Sequence, residues 1–136
     1  MPLPAGIRRI ADEFWDGLLE AEPLAGTEIG DPRFDDRLPD PGPEGLARRH
    51  DLFERGLAAA SGIDPAGLDE EARTTVSVLE TVARNGQAAL AHRLDRFEAV
   101  SHLTGPGQLL PTLATLQQAA TPEQAQRYVA RLRAIP

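Results

Sequence analysis

"EEARTTVSVLETVARNGQAALAHRLDRF", residues 70–97, places Ala72, Val76, Leu79, Ala83, Leu90, Leu94 and Phe97 at steps of three, four and seven residues. Side chains at that spacing share one face of an α-helix, whereas a half-buried strand needs an apolar residue at every second position. The stretch therefore predicts one long amphipathic helix, whose opening acids Glu70 and Glu71 suit the positive end of the helix dipole. Unbroken, it would span ~40 Å at about 1.5 Å per residue. Asn85-Gly86 is its weak point, because an interior glycine costs about 1 kcal/mol relative to alanine. No strand-forming run flanks that pair to make a hairpin, so continuity or a mild kink is expected.

The same period recurs on both sides. Ile7, Ile10, Ala11, Phe14 and Leu18, widened by Trp15 and Leu19, predict a helix ending near Glu22, where Pro23 disfavours the helical conformation of the preceding residue. A short helical turn over Leu24 to Ile29 follows, with Gly30 as its stop. Leu46, Phe53, Leu57 and Ala60 mark a helix from about Pro43 to Ala60, closed by Ser61 and Gly62. Leu109, Leu110, Leu113 and Leu116 mark a short one that Pro111 can join only in its first turn. "TPEQ", residues 121–124, combines an N-cap threonine, a proline at the first helical position and a glutamine completing a capping box. The last helix then shows Tyr128, Val129, Leu132 and Ile135 on its apolar face. With no period-two alternation and no internal repeat, the expected fold is all-α: a single-domain irregular helical bundle over residues 1–136, of about five to six helices with one long central helix.

Composition narrows the function. A chain of 136 residues has room for one core, and 41% hydrophobic with 26% charged residues is the balance of a soluble globular protein. A formal net charge of -7 and the lack of any basic run argue against nucleic acid and anionic membranes as partners. All 14 basic residues are arginine, a bias that fits a GC-rich bacterial genome, and there is no cysteine for disulfides, zinc ribbons or thiol catalysis. No run reaches signal-peptide or membrane-span length, so a cytoplasmic location is expected.

Candidate chemistry is sparse. His50, His92 and His102 lack the i, i+4 spacing and adjoining glutamate of a helical zinc motif, so no metal site is expected. "GPG", residues 105–107, lacks the Lys and Ser/Thr of a phosphate loop. The acid pairs Asp12-Glu13, Asp35-Asp36 and Glu70-Glu71 read as solvated faces, because carboxylates become acid–base catalysts only when burial or a close partner shifts them. No catalytic residue and no cofactor is expected. One stretch looks more constrained than an ordinary loop: "GDPRFDDRLPD", residues 30–40. Its calcium-loop reading fails, with arginine at the third position and no glycine at the sixth. The expected arrangement is a folded-down structural clasp of Asp31, Arg33, Phe34, Asp35, Asp36 and Arg37. In it Arg33 and Arg37 pair with nearby aspartates, Arg37 is partly buried, and Phe34 and Leu38 drop into the core. Such a loop is also a candidate interaction surface.

Three segments in order, "ADEFWDGLLEAEPLAGTEIGDPRFDDRLPD", "IDPAGLDEEARTTVSVLE" and "TPEQAQRYVARLRAIP", together cover almost the whole chain. In this order they resemble the N-terminal region of the bacterial family called domain of unknown function 885, described as zincin-like metallopeptidases. The most specific part is the helix ending in Pro23, then Gly30-Asp31, Arg33, Phe34, Asp35-Asp36-Arg37-Leu38 and Pro39. The resemblance implies a longer, largely helical protein whose zinc motif, beginning His-Glu and ending Pro-Gly-His, lies far downstream. This chain contains no His-Glu pair, so neither zinc ligands nor a general base carry over to any residue here. Two readings follow: a non-catalytic N-terminal scaffold piece of such a protein, or a stand-alone helical binding or oligomerisation module. The expected partners are accordingly the missing C-terminal body of the family or a second copy of the chain.

Overall fold

The computed structural model describes residues 3–98 and 108–135. Seven α-helices and one 3-10 turn occur among them, with no strand: α1 (Ala5–Ala21), α2 (Pro23–Glu28), the turn Pro32–Phe34, α3 (Pro43–Ser61), α4 (Glu70–Ala91), α5 (Asp95–Glu98), α6 (Leu109–Leu116) and α7 (Pro122–Arg133). The all-α class is the one the periodicity predicts, and the short α2 and α5 account for the count above five or six. No helix among the described residues is long and apolar enough to cross a membrane. The chain separates into two compact units, each built from two segments: Met1–Leu18 with Gly42–His92, and Leu19–Pro41 with Arg93–Pro136.

In the first unit α3 and α4 make the most extensive helix pairing. Phe14, Ala60, Leu79 and Ala83 are buried together, with Ile10, Ala11, Leu18, Leu52, Phe53, Leu57 and Val76 packed around them. The Phe14 and Phe53 ring centroids lie 6.4 Å apart at an interplanar angle of 57°, a tilted arrangement that suits the ring quadrupoles. Gly86 does not break α4; the Phe53 ring lies against it so closely that an added Cβ would come within 2.5 Å of the ring carbons Cε1 and Cζ. Gly56 of α3 likewise receives the Phe14 ring. Asp69 caps α4, accepting from the Ala72 amide at 2.8 Å, with Glu70 and Glu71 in the first turn.

The central helix is shorter than its apolar period suggests. It stops at Ala91 after 22 residues, because Arg93 takes a left-handed conformation (φ 54°) in which the helix cannot continue. Arg93 is held there by Asp95, Nε to Oδ1 at 3.0 Å and Nη2 to Oδ2 at 2.8 Å. Leu94 and Phe97, which the period assigned to the same face, lie beyond this break and are exposed.

In the second unit the buried residues include Leu19, Pro23, Gly26, Phe34, Leu113, Gln117 and Arg131. Gly30, at φ +82°, stops the α2 segment as expected of a C-terminal glycine. Pro32 opens the 3-10 turn while Asp31 accepts from the Arg33 amide. In α7 the capping box is complete: the Thr121 hydroxyl accepts from the Gln124 amide at 3.2 Å, and Gln124 Oε1 accepts from the Thr121 amide at 3.1 Å.

Candidate functional site

The constrained loop of residues 30–40 belongs to the second unit, and its chemistry is local at one end and long-range at the other. Arg33 folds back on Asp31, with Nε 3.1 and 2.9 Å from the two carboxylate oxygens and Nη2 2.7 Å from Oδ2. The Arg33 side chain and then its backbone amide, both donating to Asp31, hold that carboxyl below the usual carboxylate range. Phe34 is buried, with one ring carbon 3.2 Å from where a Cβ on Gly26 would stand, so a side chain there would require the ring to give by a few tenths of an ångström. The guanidiniums of Arg33 and Arg37 lie 5.2 and 5.5 Å from the ring centroid, within cation–π range. Leu38 is half-buried.

Arg37 does not take the expected place. Its side chain is 51% exposed and its ion pairs, to Glu20 and Asp36, are both long at 3.6 Å. The buried cation comes instead from α7. Arg131 is fully buried, and its Nη1 donates to Gln117 Oε1 at 2.8 Å. Its Nη2 donates to Thr27 Oγ1 at 2.9 Å and to the Phe34 carbonyl at 2.6 Å. The Thr27 hydroxyl in turn donates to Asp35 Oδ1 at 2.6 Å, and Gln117 Nε2 donates to the Asp35 carbonyl at 2.8 Å. One turn earlier on α7, Arg127 donates to the Pro32 carbonyl at 2.6 Å. A long-stemmed, planar cation with a rigid fork of donors is suited to reading several oxygens at once. Burial pushes the Arg131 pKa down from the ordinary arginine value, and the charges of Asp35 and then Asp36 pull it back up.

Asp35 therefore departs from the solvated-face expectation. Its side chain is 13% exposed and fixed by Thr27, with Arg131 Nη2 at 3.9 Å, whereas its neighbour Asp36 is half-exposed. Arg131, Arg127, Gln117 and Thr27 were missed in the sequence reading. The available signal was the α7 face itself: Gln124, Tyr128 and Ile135, all at least half-buried, share three- and four-residue spacing with Arg131, so an arginine interrupts the inward stripe.

The other candidates stand apart from this cluster. His50 is exposed, 3.9 Å from Glu54, and His92 is the exposed C-cap of α4. His102 and the "GPG" stretch lie outside the described residues. Among the described residues no three His, Cys, Asp or Glu side chains are grouped to hold a metal ion.

A family model described as bacterial protein of unknown function (DUF885) matches residues 23–136. The chain belongs to the DUF885 family. The match takes in the whole 30–40 loop and every residue of the Arg131 network, while all of α1 precedes it. No curated protein and no solved structure matches the chain.

Proposed function

We propose that this DUF885 chain is a cytoplasmic, non-catalytic helical scaffold segment of a metallopeptidase-like protein, with the 30–40 loop as its internal clasp and not a ligand site. The observation that carries the reading is the inward use of the loop's polar groups. The Phe34 carbonyl and the backbone carbonyl and side chain of Asp35 meet Arg131, Gln117 and Thr27, and Asp31 is engaged by Arg33. The family match and the resemblance to the N-terminal region of zincin-like proteins support the scaffold role. Metal analysis of purified protein, joined to a peptide-hydrolysis assay, tests it. No stoichiometric zinc and no hydrolysis is expected; one tightly bound zinc per chain, removed by chelator with loss of peptidase activity, overturns the reading.

A stand-alone binding or oligomerisation module is the second reading, favoured by the exposed Trp15, Val78, Val82, Phe97 and Val129. The two differ in one cheap observation: whether the gene's reading frame runs on past Pro136 to a His-Glu motif.

A further inference from the structure

Helix α7 carries its own start and stop. Pro122 at its first positions, the Thr121–Gln124 box, and Arg131 and Arg133 in its last turn favour the helix independently of what it docks on. Its polar docking contacts come from Arg127 and Arg131, one turn apart, which donate to the Pro32 and Phe34 carbonyls of the 3-10 turn, beside the half-buried Tyr128, Leu132 and Ile135. The charges of the two segments match this contact. Residues 19–41 hold seven carboxylates against two arginines, and residues 93–136 hold five arginines against three carboxylates. Attraction of that kind acts at long range and is screened by salt.

Burial of the cation opposes it. Arg131 hydrogen-bonds to neutral oxygens, its nearest carboxylate oxygen is 3.9 Å away, and its Nε has no partner among the described residues. The desolvation of the guanidinium is thus incompletely offset, so the contact contributes less free energy than its hydrogen bonds alone would.

We propose that α7 is a releasable strap: it undocks from residues 26–37 while the first unit stays folded, and its release frees the 3-10 turn and uncovers Phe34, Thr27 and Asp35. The proposal rests on the clasp geometry and not on the scaffold role, which zinc analysis tests separately. Hydrogen exchange on the full chain, resolved by residue, decides it. An undocked helix of 12 residues is marginal in water, so in the wild type the α7 amides and those of Asp31, Asp35 and Arg37, which bond to Gly26, Pro32 and Phe34 carbonyls, should exchange as one group. They should do so faster than α3 and α4, and faster still in high salt. Arg131→Ala should speed both segments together by at least about a hundredfold, equivalent to at least about 2.7 kcal/mol, with α3 and α4 unchanged. Loop amides that keep wild-type protection when α7 loses it overturn the strap. Where Arg131→Ala abolishes all structure, Arg127→Ala decides: joint loosening of α7 and the loop supports the strap, and loosening of α7 alone overturns it.

Discussion

Replacing Arg131 by alanine leaves Gln117 Oε1, Thr27 Oγ1 and the Phe34 carbonyl without their donor in one step. Breaking a buried charged network of this kind costs about 3–5 kcal/mol. Arg37, half-exposed and loosely paired, should contribute under about 1 kcal/mol, the worth of a surface ion pair. Denaturant melts of Arg131→Ala, Arg131→Lys and Arg37→Ala should therefore rank in that order of damage, with lysine recovering only part of the loss because a compact ammonium cannot reproduce the planar fork. Equal effects at positions 131 and 37 would contradict the assignment. At this scale the sequence showed that the loop is constrained and that Arg33 reaches Asp31, two residues away. It could not show which arginine is buried, because Arg131 stands 97 residues from the Phe34 carbonyl it holds.

Among the elements, legibility followed the range of the forces involved. The start of α7 was readable because a capping box is complete within four residues. The end of α4 was not, because the apolar period runs on through Leu94 and Phe97 while Arg93 turns left-handed under the hold of Asp95. Gly86 was legible as a weak point but not as a packing surface, since Phe53 approaches from another helix. The two effects of Gly86→Ala oppose each other. Helix propensity gains about 1 kcal/mol, and forcing a methyl into the Phe53 ring costs about 1–3 kcal/mol. The clash should win, lowering the denaturation midpoint, and adding Phe53→Leu should recover part of the loss. A stabilised single variant would show that the ring gives way freely.

For the whole molecule the question is what covers its exposed apolar side chains. On α6 and α7, Leu113 and Arg131 are fully buried within the second unit and so are not open to a partner. Among the described residues the large exposed apolar side chains are Trp15, Val78 and Val82 in the first unit, and Ile29, Leu94, Phe97 and Val129 in the second. Concentration-dependent light scattering should detect self-association, weakened by Val78→Asp with Val82→Asp; a monomer at high concentration that binds no hydrophobic dye would count against it. The central claim, that a buried α7 arginine clasps the loop, is tested most directly by a double-mutant cycle between Arg131→Ala and Gln117→Ala, run beside one between Arg37→Ala and Glu20→Ala. A buried network predicts a coupling of about 1–3 kcal/mol in the first cycle, and a half-exposed pair one near zero in the second. Near-zero coupling between Arg131 and Gln117 would contradict the claim.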